Sequence, residues 1–221
     1  RRSSDLFINF SIFRYNYFGK IIPSNQNKGA NIMDLRKQIE NYTPYNAQEE
    51  KERELILKYM DTFDNVLTRD NEFAHFTASA WLVNQDRTKV LMVYHNIYDS
   101  WSWVGGHADG DSNLLRVAIK EAKEETGLVD VRPVIEDIFS LEILGVAAHE
   151  KKGKHVATHL HLNVTYLLEA DEQELLQIKP DENSAIKWFS LEEAEEASTE
   201  PELQVVYRKL NEKLAKIKGQ L

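Results

Sequence analysis

The chain has 221 residues, 42% of them hydrophobic and 29% charged, as expected of a globular protein with one sizeable core. Its 36 Asp and Glu outweigh 27 Lys and Arg, leaving a net charge of −9 that excludes non-specific nucleic-acid binding. The absence of cysteine excludes disulfides, thiolate metal sites and a cysteine nucleophile, and no run approaches the ~18 apolar residues of a membrane helix.

Residues 1–32 differ from the rest. They carry Arg1, Arg2, Arg14, Lys20 and Lys28 against Asp5 alone, and their aromatic and apolar residues follow no period. The Arg pair before an apolar patch lacks the small-residue cleavage site of a secretion signal. The segment is expected to be a disordered or non-native leader, with Met33 as the natural start. Residues 33–70 are expected to form an N-terminal helical extension: a short helix over 34–41, broken at Thr43-Pro44, then a stronger one over 47–67. In the second, Glu49, Glu50 and Glu52 suit the start of a helix, and Leu55, Ile56, Tyr59, Met60, Phe63 and Leu67 make an apolar face. Residues 71–221 are expected to form the main domain. Its first strands are Phe73–Val83 and Lys89–Tyr94, joined by a turn at Asn84-Gln-Asp-Arg. His75 and His95, near strand ends, are candidates for touching a ligand, although such residues are more often structural.

From Trp101 to Leu128 the chain reads as a strand end, a glycine loop, a helix and a stop. Gly105 and Gly106 permit close approach of a ligand. Asp111, Ser112 and Asn113 are all good N-caps, and Gly127 suits a left-handed helix end. Leu115, Ala118, Ile119 and Ala122 recur at helical spacing as a buried stripe. Glu121, Glu124 and Glu125, at i, i+3 and i+4, share a face. Three carboxylates so close repel one another unless a positive charge offsets them. On a rigid helix they are ligands for Mg²⁺ or Mn²⁺, although an acidic face alone is usually just solvated.

Beyond the helix, Val131–Leu144 reads as a strand bent near Pro133, with Phe139, Leu141 and Ile143 alternating against Ser140, Glu142 and Leu144. His149 to His155 reads as a polar, basic loop in which Lys151, Lys152 and Lys154 suit a leaving phosphate or plain solvent. His159–Glu169 is a strand that sends His159, His161, Asn163 and Thr165 to one face. The two histidines at i, i+2 can bind one divalent ion or one phosphate. A charged connection over 169–183 leads to a short strand at Ile186–Phe189. Ser190 and Glu193 form a capping box before a short helix, and Pro201 opens a last helix with Leu203, Val206, Tyr207, Leu210, Leu214 and Ile217 as its apolar stripe. The terminal helices either cover the sheet or make a homodimer. Trp81, Tyr98, Trp101 and Trp103 are candidates for stacking a base.

The segment Gly106 to Leu128 resembles the box of the Nudix hydrolase family: Gly, five residues, Glu, seven residues, then Arg-Glu-apolar-x-Glu-Glu-x-Gly-apolar. Lys120-Glu-Ala-Lys-Glu-Glu-Thr-Gly-Leu128 closes it with the spacing kept. Ser112 replaces the first Glu, with Asp111 a candidate stand-in, and Lys120 replaces the Arg and loses its planar fork. The resemblance covers about 73–190 and implies an α/β/α sandwich with a mixed sheet. It also implies a cytoplasmic, metal-dependent hydrolase of a phosphoanhydride bond in a nucleoside diphosphate derivative or related organic pyrophosphate. The implied metal ligands are Gly106, Glu121, Glu124 and Glu125 for Mg²⁺, with Mn²⁺ as a substitute. The implied catalytic carboxylates are Glu121, Glu125 and Glu142, with Glu150 second to Glu142. Gly105, His107, Lys120, His159 and His161 are the candidates for substrate contact. The two substitutions keep open a catalytically weakened module that binds nucleotides or regulates. An isopentenyl diphosphate isomerase on the same fold needs a cysteine that this chain lacks.

Overall fold

The computed structural model describes residues 26–151 and 153–218; most of the expected leader, residues 1–25, lies outside the described residues. Among the described residues two helices come first, α1 (Gln26–Asn41) and α2 (Ala47–Thr62). Helix α1 thus begins well before Met33. Helix α2 is capped by the Asn46 side chain, which accepts from the Glu49 N–H at 3.0 Å. It stops five residues short of the expected end. Phe63 turns extended at φ −127°, and Asp64-Asn65, good turn formers, redirect the chain so that Val66 and Leu67 enter the core from a turn.

Ten strands follow among the described residues: β1 (Ala74–Asn84), β2 (Lys89–His95), β3 (Ser100–Ser102), β4 (Val104–His107), β5 (Arg132–Pro133), β6 (Ser140–Val146), β7 (His149–Lys151), β8 (Lys154–Val156), β9 (His159–Ala170) and β10 (Asn183–Ser190). Helix α3 (Leu114–Thr126) lies between β4 and β5, and α4 (Leu191–Ala197) and α5 (Pro201–Lys218) end the chain. The main sheet runs β10-β2-β1-β9-β5, with β3 on β2, β4 on β1 and β6 on β9. It is mixed, because β1 and β9 pair in parallel from Ala74↔Leu160 to Asn84↔Ala170 while the other pairs are antiparallel. Every residue of β1 is buried, as the centre of a covered sheet requires.

Three further segments differ from expectation. The expected single strand over 131–144 is interrupted: Val134 donates to Leu167 O and Phe139 to Thr165 O, so the chain loops out over one short step of β9. Exposed Glu136 and Asp137 ride that excursion. The expected loop at 149–155 is instead the β7–β8 hairpin. The last strand is longer than expected, because β10 follows β2 from Asn183↔His95 to Ser190↔Lys89.

The sheet separates two cores. On one face Phe76, Ala78, Ala80, Leu82, Leu141, Leu162, Val164, Tyr166 and Leu168 meet α3 and the two N-terminal helices. On the other, Trp81, Val83 and Leu167 meet Tyr207, Leu210 and Leu214 of α5. The C-terminal helix therefore covers the sheet, and the result is an α/β/α sandwich. No described helix is long and apolar enough to cross a membrane.

The second face turns polar beyond Trp81. Asn163 accepts from Thr77 Oγ1 at 2.9 Å and Ser79 Oγ at 2.8 Å, and donates to Glu142 and Thr165 at 3.1 Å. At the edge, Glu49 of α2 pairs with Lys213 at 2.9 Å and Lys209 at 3.1 Å. Burial alone would raise the Glu49 carboxyl, but the two ammoniums override it and hold it at about 2. The N-terminal extension is thus tied to α5 by buried charge.

Candidate active site

Helix α3 is placed by its ends. Asn113, the last of three candidate caps, accepts from the Arg116 N–H at 3.0 Å. Gly127 stands at φ 75° with its N–H on Lys123 O, and a Cβ there would lie 2.7 Å from Gln177 Cβ, so no other residue fits. Leu114, Val117, Ala118 and Ala122 bury the helix against the sheet. That face also carries Glu125, only 4% exposed. Its Oε1 accepts from the Gly105 N–H at 3.0 Å. Burial pushes the Glu125 carboxyl up to about 8, and the charges of Glu121 and Glu182 add to the rise.

Glu121 lies one helical turn before Glu125 and packs onto the same loop. A Cβ on Gly106 would stand 2.6 Å from Glu121 Cδ, so the glycine makes room for this carboxylate rather than for a turn. Lys120 Nζ bridges Glu121 at 2.9 Å and Glu124 at 3.4 Å, and the Glu121 hydrogen bond leads the causes that raise its pKa. Lys120 neutralises the two outer carboxylates in part, whereas Glu125 makes no ion pair among the described residues and is offset only weakly by the Lys179 charge. The donor types suit a hard divalent ion, being oxygen only with one carboxylate in a site that disfavours its charge, but the three carboxylates do not each bring an oxygen within 4.8 Å of the other two, so an ion would have to draw them together. An ion there would supply what Glu125 lacks.

The NUDIX domain family matches the chain over residues 73–210. The chain belongs to the Nudix family. Its enzyme class is accordingly that of the Nudix-type pyrophosphohydrolases. Among curated proteins no match was found. Solved structures similar to it include a C. elegans Ap4A hydrolase in a binary complex, 23% identical over 64% of this chain and 98% of that one, with a TM-score of 0.48. An E. coli dihydroneopterin triphosphate pyrophosphohydrolase is 16% identical over 61% and 92%, with a TM-score of 0.46. A NUDIX family hydrolase from Clostridium perfringens is 22% identical over 65% and 97%, with a TM-score of 0.45. The scores lie below 0.5, so the family assignment rests on the domain match.

Within this Nudix fold the other candidate residues take separate places. Glu142 is 1% exposed, and both its oxygens are taken: Oε1 by Ser140 at 2.5 Å and Lys209 at 2.9 Å, Oε2 by Asn163 at 3.1 Å and Thr165 at 3.0 Å. It belongs to the polar core beneath α5, not to the α3 carboxylates. Asp111, the candidate stand-in for the missing Glu of the Nudix box, is gripped by Arg116 at 2.9 and 2.8 Å. Glu150 and Lys154 are exposed on the hairpin, and Lys152 lies outside the described residues. Trp81 is fully buried and stacked on Tyr207, and Trp103 packs edge-on against the same ring, so neither reaches a base.

Gly105 and Gly106 divide β4 between two faces. Gly106 pairs with Ala78 on the α3 side, whereas His107 pairs with Thr77 on the polar side. His107 there joins His75, His159 and His161 in one group of rings. The alternation of β9 signals His159 and His161. Nothing local signals that His75 and His107 meet them, because parallel pairing of distant strands makes the group.

Proposed function

We propose that this Nudix-type pyrophosphohydrolase cleaves a phosphoanhydride bond in a nucleoside diphosphate derivative or related organic pyrophosphate, with Mg²⁺ (or Mn²⁺) held by Glu121, Glu124, Glu125 and the carbonyl of Gly106. The observation that carries it is Glu125, a buried carboxylate beside two others, whose proton affinity is raised to about 8. When bound, such an ion supplies positive charge to phosphate oxygens and acidifies water. The chain's own part is positioning and proton transfer. The Gly105 N–H fixes Oε1 of Glu125. Without an ion, burial raises the proton affinity of Glu125, which makes it the candidate base. Water attacks phosphorus, its proton passes to Glu125, and the bridging P–O bond breaks with the oxygen leaving on the second phosphate. Lys120 offsets the mutual repulsion of Glu121 and Glu124.

The test is a panel of organic pyrophosphates with Mg²⁺, read as released phosphate, for wild type and Glu125→Gln. Mg²⁺-dependent release that falls at least ~100-fold in the variant supports the assignment. Wild-type turnover in the variant rejects it. A second reading is favoured by one observation: Asp111 is held by Arg116, so the carboxylate lost at Ser112 has no replacement at that position. That reading is a nucleotide-binding or regulatory module on the same scaffold, and binding without turnover across the panel selects it.

A further inference from the structure

Five of the seven histidines gather at one end of the polar face. His75 of β1 pairs in register with His161 of β9, and His107 of β4 lies across from Thr77, two residues along from His75. The three rings form a nearly equilateral triangle, with centres 5.1, 5.2 and 5.0 Å apart. Each offers a ring nitrogen within 4.8 Å of the other two. His159 stands beside them, its Nε2 3.3 Å from the Nε2 of His161, and His149 flanks His159 at 6.4 Å between ring centres.

The tautomers are set from outside. A carbonyl can only accept, so the 2.9 Å contact from His75 Nδ1 to Asn71 O puts the proton on Nδ1. The same holds for His159 Nδ1 on Ala157 O at 2.9 Å and His149 Nδ1 on Ala147 O at 3.0 Å. In the neutral ring the lone pair is then on Nε2. His75 is only 4% exposed, and its Nε2 is buried with no hydrogen-bond partner. A buried acceptor with no donor is costly. A backbone carbonyl holding Nδ1–H and leaving Nε2 as the acceptor, as at His75 and His159, is the outer-shell pattern of histidine–metal sites.

The spacing agrees. An ion ~2.0–2.1 Å from each nitrogen in tetrahedral directions sets the nitrogens ~3.3–3.4 Å apart and the ring centres roughly 5 Å apart. A good N–H···N bond would be shorter than the 3.3 Å between His159 and His161. Imidazole donors without a carboxylate select zinc-class ions over Mg²⁺ or Ca²⁺.

We propose that His75, His107 and His161, with His159 as fourth donor, form a binding site for a zinc-class transition-metal ion, separate from the glutamate site and on the opposite face of β4. The two sites share a strand but no ligand: Gly106 backs onto Glu121, and its neighbour His107 points the other way.

The test uses full-length, tag-free protein stripped with chelator and titrated with Co²⁺, then with Zn²⁺ as competitor. One equivalent of Co²⁺ should give the intense visible bands of a tetrahedral nitrogen site, and Zn²⁺ should displace it. His107→Gln with His161→Gln should weaken binding at least 100-fold, whereas Glu124→Gln should leave the cobalt bands unchanged. Unaltered Co²⁺ affinity in the double histidine variant overturns the proposal, as does a faint octahedral spectrum at saturation. X-ray absorption at the zinc edge of the wild-type protein is independent of whether any variant folds. A shell of three or four imidazoles supports the site, and an all-oxygen shell refutes it.

Discussion

Glu125→Gln separates the electrostatic reading of the glutamate site from a purely structural one through stability, without any substrate. In the folded protein burial lifts the Glu125 carboxyl from 4.5 to about 8. The folded state therefore binds a proton that the unfolded chain releases, and stability falls as pH rises from about 4.5 to about 8 and then levels off. At 1.36 kcal/mol per tenfold, the whole gap corresponds to at most roughly 5 kcal/mol, of which about 3 kcal/mol develops between pH 5 and pH 8. Glutamine keeps the shape and an acceptor for the Gly105 N–H but has no proton to lose. Urea unfolding in EDTA at pH 5 and pH 8 should show the wild type losing about 3 kcal/mol more than the variant. Mg²⁺ should restore the wild type at pH 8 and leave Glu125→Gln unmoved. Parallel stability–pH curves for the two proteins would refute the argument, because Glu125 would then carry no displaced proton.

Gly106→Ala drives a Cβ to 2.6 Å from Glu121 Cδ. It should raise the Mg²⁺ concentration for half-maximal activity at least tenfold, while urea stability moves by no more than about 1 kcal/mol, because the end of Glu121 can swing away. In Gly105→Ala the Cβ instead meets the Ala78 carbonyl oxygen at 2.6 Å. That backbone clash should show as a destabilisation of about 1–3 kcal/mol in urea unfolding. Glu49→Gln leaves the buried Lys213 ammonium without a carboxylate, while Lys209 keeps Glu142, and should cost roughly 3 kcal/mol at pH 7, as measured by urea unfolding. Because the native Glu49 carboxyl is held near 2, its contribution is full above about 4.5 and fades as pH falls toward 2, so the deficit should shrink in acid. Glu142→Gln should lower stability by about 1–3 kcal/mol but leave kcat/KM of the folded enzyme unchanged; a 100-fold loss of kcat/KM would return Glu142 to the catalytic site.

What the sequence made legible was local. The glycine loop, the apolar stripe of α3 and the spacing of Glu121, Glu124 and Glu125 follow from helical period and turn chemistry alone. They place the carboxylates on one helix, but they do not say which one is buried. Glu125 turns inward because Gly105 reaches it from β4, a contact across 20 residues. Glu142 shows the limit of strand alternation. The pattern gave its face correctly, yet that face is closed by Lys209 of α5, and no local signal ties β6 to the last helix. The N-terminal extension shows in sequence only an apolar face suited to cover the sheet or a partner. Its role lies in one acidic residue, Glu49, that a dipole argument assigned to the helix start and the fold uses to hold two lysines.

The in-register parallel ladder between β1 and β9 has a consequence for how the protein is made. The strand at the middle of the sheet is synthesised early, but the partner that flanks it along its whole length emerges some 85 residues later. A nascent chain halted after α3 would display β1 with one long side bare, an open template for other chains. Assembly of the sheet centre must wait for β9 to leave the ribosome, which favours slow folding and a need for chaperone shielding during elongation.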